Sequence, residues 1–259
     1  MFTILLHSSK TMRASSGHDS SYQPPQLLPE AKQLAAYTKQ LPVDELAKIM
    51  KLSAIMSSKT WDIWQAWEPK SGMPAIDCFI GDIYSGLQTI NFSKEDRHYA
   101  NQHLYIISGL YGILRALDSV NPYRLEFGYK LPDVQYSSLY KFWGDRIAHV
   151  LPPDRKIVNL ASNEYSKAVI PFLDKAEVIS PIFLTVNSSG KPVFVAVHAK
   201  IARGSFAGWL IKNQISVVQD LTNFSELGYR YDNLASTLNQ PVFICLEFGG
   251  LGRSVRLQK

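Results

Sequence analysis

The reading of this chain turns on Leu104-Tyr105-Ile106-Ile107 and the segment that follows it, Ser108-Gly109-Leu110-Tyr111-Gly112-Ile113-Leu114-Arg115-Ala116-Leu117-Asp118. The apolar run either extends a preceding helix or begins a strand, because a run that short fits both periods. The segment after it, with Asn121-Pro122-Tyr123-Arg124-Leu125-Glu126-Phe127-Gly128, gathers glycines, arginines, acids and tyrosines. Glycines let a backbone turn tightly or approach a ligand. Arginines offer planar forks to phosphate or carboxylate. A phosphate-facing or base-facing site uses such a set. So does a folding unit in which Arg115 and Arg124 pair with Asp118 and Glu126, and the segment alone leaves both readings open.

Toward the N-terminus, Ser93 opens a helix over about 94–103, with Asp96 as the reciprocal partner of a capping box. Ala75 to Ile80 reads as a strand running into Gly81-Asp82-Ile83-Tyr84-Ser85-Gly86-Leu87. Helical patterns lie near 29–40, 43–51 and 53–67, the last with Trp61, Trp64 and Trp67 on one face as a core stripe. Residues 14–26 are rich in Ser, Pro and Gln and read as a mobile loop. Phe2 to Leu6 reads as a buried strand ending in the polar loop His7 to Thr11.

Toward the C-terminus, Ser138 to Val150 reads as a helix and Lys156 to Leu160 as a strand. Val178 to Val186 and Pro192 to Val197 form a hairpin around Asn187-Ser188-Ser189-Gly190. A helix over Ala199 to Asn213, a last strand over Val242 to Phe248 and a frayed basic tail with Arg253, Arg256 and Lys259 complete the pass. Helices and strands alternate without a clean βαβ rhythm and no boundary cuts the chain. The expectation is one mixed α/β (α+β) domain over residues 1–259, not a doubly wound sheet.

The bulk properties agree with a globular chain: 259 residues, 46% hydrophobic and 19% charged, enough to bury a sizeable core. A net charge of +5 permits nucleic-acid or anionic-ligand binding without demonstrating it. Cys78 and Cys245 each lie in an apolar run and read as inert core thiols, with no C-x-x-C spacing. No secretory signal and no apolar run of membrane-spanning length is visible, so a soluble cytoplasmic protein without a membrane partner is expected.

Polar clusters stand beside apolar runs at His7–Thr11, Gly81–Gly86, the central segment, Asn159–Lys167 and His198–Gly204. Ligands in α/β sheets often sit at strand ends, so such clusters are candidates to converge. Each also has a plain reading: Lys10 as a solvated loop lysine, Asp82 as a turn cap, Lys200 and Arg203 as a basic stripe on one helical face. Walker A, G-x-S-x-G and H-E-x-x-H templates are absent, and His98 and His103 are poorly spaced for joint ligation. His7 and His198 each follow a strand and could approach one another, but no metal and no cofactor is expected.

Taken together, Ser9-Lys10-Thr11, Gly81 to Leu87, Ser108 to Asp118, Pro122 to Gly128, Phe142-Trp143-Gly144-Asp145, Asn159 to Ser162, Glu164-Tyr165, Ala199-Lys200 and Ala202-Arg203-Gly204 resemble, in order, the YaaA family of bacterial peroxide-stress proteins. The resemblance implies a compact α/β domain of unusual topology, a basic cleft and a helix-hairpin-helix-like element that would hold Gly109 and Gly112. It also implies binding of double-stranded DNA and a role in limiting iron-dependent peroxide damage. Lys10, Arg115, Arg124, Lys200 and Arg203 are the matched basic positions, with Tyr84, Ser108 and Tyr123 beside them. The chain departs from the family pattern where Ser-Pro-Ala-Lys becomes His7-Ser8-Ser9-Lys10, where Arg-Pro-Leu-Asp becomes Arg115-Ala116-Leu117-Asp118, and where His198 replaces an aromatic residue.

Two functional classes follow. One is sequence-nonspecific DNA binding through phosphate contacts, with steep salt dependence. The other is an enzyme on a nucleotide, nucleobase or small anion, with Lys10 as nucleophile or base, Asp82 or Glu126 handling protons and Arg115 and Arg124 holding the anion. An iron-binding role is disfavoured by the scarcity of clustered Cys, His and acidic ligands.

Overall fold

The computed structural model describes residues 1–13, 23–70, 72–173 and 177–248. Its centre is the strand Phe2–His7, whose every residue is buried. It pairs in parallel with Leu104–Ser108 on one side and Lys156–Asn159 on the other. Val178–Ile179 extends the sheet in parallel beyond Lys156–Asn159, and Gly112–Arg115 closes the opposite edge antiparallel to Leu104–Ser108. The continuous apolar runs Phe2–Leu6 and Leu104–Ile107 are what a strand covered on both faces requires. That settles the ambiguous run as a strand, entered directly from the helix Lys94–His103. The capping box of Ser93 and Asp96 is present at the start of that helix.

A second, four-stranded sheet runs in the order Pro192–Val193, Ile182–Val186, Gln240–Cys245 and Tyr229–Thr237. Its core is aromatic: Phe183 stacks on Phe243 at 5.4 Å, and Phe206 and Phe224 meet edge to face at 4.8 Å. The long helix Ala196–Lys212 packs on this sheet and, most closely, on the short helix Asp82–Leu87. Glycines make that approach possible: a Cβ on Gly204 would lie 1.8 Å from the Ile83 carbonyl oxygen, and one on Gly86 2.0 Å from that of Ile201. The described residues form a single mixed α/β domain.

Several expectations are corrected. Ser108–Asp118 is not part of a helical hairpin. Gly109 lies between the antiparallel strands Leu104–Ser108 and Gly112–Arg115, and Gly112 (φ +67) begins the second. Gly109 is required by packing, since a Cβ there would lie 2.3 Å from the Leu125 carbonyl oxygen. The adjacent helices Val43–Met50 and Ala54–Ala66 turn through Lys51 at φ 52, with no glycine between them. Ala75–Cys78 is a short helix, not a strand; only Phe79–Ile80 is extended, pairing with Thr11–Met12. A short buried apolar run satisfies either form, and Pro74 in front of it suits a helix start.

The helix expected over Ser138 to Val150 breaks at Gly144 (φ +51) into Leu139–Trp143 and Arg146–Val150. Val178 to Val186 splits between the two sheets at Ser180-Pro181, where proline has no N–H to continue a ladder. The tryptophan stripe is incomplete, for Trp64 and Trp67 are buried while Trp61 is 36% exposed. The strand Tyr229–Thr237 has no counterpart in the sequence reading. The basic tail and most of the expected loop over 14–26 lie outside the described residues.

Candidate functional site

The parallel strands Phe2–His7, Leu104–Ser108 and Lys156–Asn159 deliver their carboxyl ends to one edge of the sheet. His7 to Lys10, Ser108 and Ser162 therefore lie together, at the edge where open α/β sheets bind ligands. The helix Asp82–Leu87 is tied to this edge by Tyr84, whose phenol donates to the His7 carbonyl oxygen at 2.9 Å. Through the glycine contacts it brings the helix of Lys200 and Arg203 over the same place.

His7 is buried. Its ring stacks on Tyr165 at 4.7 Å and its Nδ1 accepts the Ser162 backbone N–H at 3.2 Å. With Nδ1 accepting, the neutral ring carries its proton on Nε2. Burial, with the positive charges of Arg203 and Lys200 nearby, drives its pKa down to about 3. The imidazole is therefore neutral at ordinary pH, and both cations sit close enough for their fields to act on it.

The Tyr165 phenol donates to Glu126 Oε2 at 2.5 Å. Burial raises the Glu126 pKa above the ordinary carboxylate range, opposed by the Tyr165 bond and by the charges of Lys10 and Arg124. Tyr123 and Ser108 share a hydrogen bond of 2.6 Å, and Ser108 Oγ also accepts the Tyr111 N–H. Burial raises both Tyr123 and Tyr165 above the ordinary phenol range, and the neighbouring Ser8 hydroxyl eases the push on each. Ser8 Oγ nevertheless reaches no partner in bonding geometry among the described residues, and neither does Arg124 Nε. Two buried polar atoms in one neighbourhood without partners are uncommon in a native fold and mark a place to look for function.

The structure thus brings together Lys10, Tyr84, Ser108, Tyr123, Arg124, Glu126, Lys200 and Arg203. Asp82 begins the helix behind Gly81, whose Cβ position lies 3.0 Å from Ser9 Oγ. Arg115 does not join the cluster. It sits on the edge strand and grips the fully buried Asp118 through Nε at 2.9 Å and its backbone N–H at 2.8 Å. Burial outweighs that pairing and pushes the Asp118 carboxyl up to about 6. Gly109 and Gly112 serve packing against Leu125 and Trp143, and the Trp143 indole donates to the Gly109 carbonyl oxygen at 3.0 Å. His198 lies in a separate contact, stacked on Phe248 at 4.0 Å and bonded to Thr185 Oγ1 at 3.1 Å.

Ser8, Tyr165 and the ring of His7 are the parts of the site not singled out as site residues from the sequence. Tyr165 was visible only as a member of a polar cluster after a strand. Among the described residues, no group of three or more His, Cys, Asp or Glu is arranged to hold a metal ion, and no helix is long and apolar enough to cross a membrane.

The comparisons with known proteins agree with the ordered motifs. A family model described as peroxide stress protein YaaA matches residues 2–235. A curated relative from Salinispora tropica, named UPF0246 protein, is 48% identical over 256 residues, covering 98% of this chain and 97% of its own. The match takes in every residue of the strand-end cluster, and the chain belongs to the YaaA family of peroxide-stress proteins.

Proposed function

We propose that this chain is a DNA-binding protein of the peroxide-stress response that holds duplex phosphates without reading sequence and limits iron-dependent damage. The observation that supports it is the gathering of Lys10, Arg124, Lys200 and Arg203 at one sheet edge, with no ion pair from any of them to a described residue. Arg115, Arg97 and Lys156, by contrast, are paired with Asp118, Asp77 and Glu177. Cations gathered at one sheet edge suit a polyanion, for which each phosphate contact releases counterions.

Duplex binding across a salt series tests the proposal. Each lost phosphate contact reduces the slope of log K against log salt by about 0.9. Lys10→Ala is expected to weaken binding and flatten the slope by about one contact, equally on unrelated sequences. Failure of the wild-type protein to bind duplex at low salt would overturn the reading.

The buried Tyr165–Glu126 pair beside Lys10 supports a second reading, an enzyme acting on a nucleotide-like anion with Glu126 or Asp82 as proton carrier and Lys10 as nucleophile or base. Turnover of a nucleotide that is lost in Glu126→Gln would favour it.

A further inference from the structure

The cations of the cleft divide into two unlike pairs. Lys10 and Arg124 act on the Glu126 carboxyl, so an acid is present among them. Lys200 and Arg203 lie instead on the helix that packs, through Gly204 against Ile83, beside the Tyr84 that bonds the His7 carbonyl oxygen, and their charges act on His7. The Arg203 guanidinium is held below its ordinary value by burial, with no carboxyl acting on it. Their shared neighbour is a neutral imidazole whose Nδ1 is already occupied by the Ser162 N–H and whose remaining function is an Nε2–H donor.

This corner therefore offers two positive charges and a further N–H, with no acceptor to answer them among the named groups. A half-buried guanidinium in that state carries an uncompensated desolvation cost, which an anion of matching charge offsets. An internal phosphodiester brings a single charge. A phosphomonoester brings about −1.5 to −2 at neutral pH and three acceptor oxygens. The corner is also built rather than loosely hung: Tyr84 fixes the His7 carbonyl, Tyr165 stacks on the His7 ring, and the Gly86 and Gly204 contacts fix the helix that carries Lys200 and Arg203.

We infer that His7, Lys200 and Arg203 form a phosphomonoester subsite, and that the DNA engaged by the cleft is held by a phosphate-bearing strand end. The strand end as source rests on the DNA-binding reading above; a free nucleoside monophosphate presents the same chemistry.

The test compares one duplex in three forms, with terminal phosphates, with terminal hydroxyls, and closed at both ends as a dumbbell, together with a nucleoside monophosphate as competitor. Charge-assisted hydrogen bonds to the added phosphate predict about a ten- to hundredfold preference for the phosphorylated ends. Arg203→Lys keeps the charge and loses the fork, and His7→Phe keeps the stacking and loses the N–H. In both variants the ratio between phosphorylated and hydroxyl ends is expected to fall toward one, with folding checked by thermal melting. Phosphorus NMR supplies a readout independent of affinity. A monoester held by two cations stays dianionic below its ordinary second pKa of about 6. Equal binding of all three duplexes would overturn the subsite and leave the DNA reading standing. Saturable binding of the monophosphate without duplex binding would keep the subsite, make the free nucleotide its source and overturn the DNA reading. No preference and no monophosphate binding would overturn the inference outright.

Discussion

Gly204→Ala probes the contact that positions the helix carrying Lys200 and Arg203. The helices Ala196–Lys212 and Asp82–Leu87 meet backbone to backbone, and an added methyl carbon at Gly204 would lie 1.8 Å from the Ile83 carbonyl oxygen and 2.8 Å from the Leu87 nitrogen. A methyl carbon needs about 3 Å or more from such an oxygen, so the helices have to part by more than about 1 Å. Alanine is the better helix former by about 1 kcal/mol, which acts in favour of the variant. Forcing a methyl group into a packed contact costs about 1–3 kcal/mol, and the obstacle here is backbone that no rotamer change can move. Because the obstacle is backbone, the cost is taken at the top of that range, about 3 kcal/mol; the clash therefore wins, and the net expectation is about 2 kcal/mol of destabilisation.

Urea unfolding reads this as a lower midpoint at unchanged slope, and thermal melting as a loss of about 2–4 °C per kcal/mol. Gly208 supplies the graded control, because its added carbon would lie 2.9 Å from the Leu87 carbonyl oxygen. There the strain and the helix preference nearly cancel, and the change is expected to stay within about 1 kcal/mol. Gly204→Ala as stable as wild type, or less damaging than Gly208→Ala, would refute the account of how Lys200 and Arg203 are held over His7.

Stability against pH carries a second test. His7 is held at about 3 in the fold against an ordinary 6.5, so between these values the unfolded chain binds the extra proton and stability falls as pH drops. Asp118 acts oppositely: raised from 3.8 to about 6, it favours the fold at low pH and loses that contribution as pH rises through about 6, and Glu126 adds in the same direction. Asp118→Asn removes one opposing group, so its urea midpoint is expected to fall more steeply than wild type below pH 6.5, by at most about 1.4 kcal/mol per pH unit more; a parallel pH profile would contradict this. Trp143→Phe leaves the Gly109 carbonyl without its indole donor and is expected to cost about 1–3 kcal/mol in urea unfolding, a neutral result counting against that bond. Both cysteines are buried and burial raises both thiols, Cys78 to about 12, so native protein is expected to resist alkylation and peroxide until it unfolds; a native-state mass shift at either would refute this.

What the sequence revealed follows from how local each signal is. The capping box at Ser93, the apolar strand Phe2 to His7 and the helices from Leu28 to Ala66 depend on contiguous residues, and they are found where the pattern puts them. Ala75 to Ile80 was misread because burial on all sides removes the periodicity that separates strand from helix. Tyr229–Thr237 alternates only over its first four residues and loses the pattern from Asn233 on, where this edge strand leaves Leu234 almost fully exposed. For the site, the strand-end loops were legible as polar clusters, but their convergence depends on the parallel order of three strands far apart in the chain. Arg115 resembles its neighbours in sequence, and its place on the edge strand with its bond to Asp118 sets it apart from the strand-end cluster.

Four of the departures from the family pattern, at His7, Ser8, Ser9 and His198, carry contacts of their own; Ala116 in place of proline has no structural explanation. Ser8 stands where the pattern has proline, and its N–H continues the parallel ladder to the Ile107 carbonyl oxygen at 2.9 Å, a bond proline has no hydrogen to form. Ser9 stands for alanine, and its hydroxyl donates to the Ile80 carbonyl oxygen, joining the strand-end loop to the segment that enters Gly81 and Asp82. His7 stands for serine, and a serine could accept the Ser162 N–H but could neither stack on Tyr165 nor present a second donor beyond it. His198, in place of an aromatic residue, keeps the stacking on Phe248 and adds the bond to Thr185. Three consecutive residues thus tie the loop that ends at Lys10 to Ile107, Ile80 and Ser162. On the phosphomonoester proposal, His7 supplies the N–H donor beside Lys200 and Arg203 that a serine at this position would lack, so His7→Ser is expected to lower the preference for phosphorylated ends.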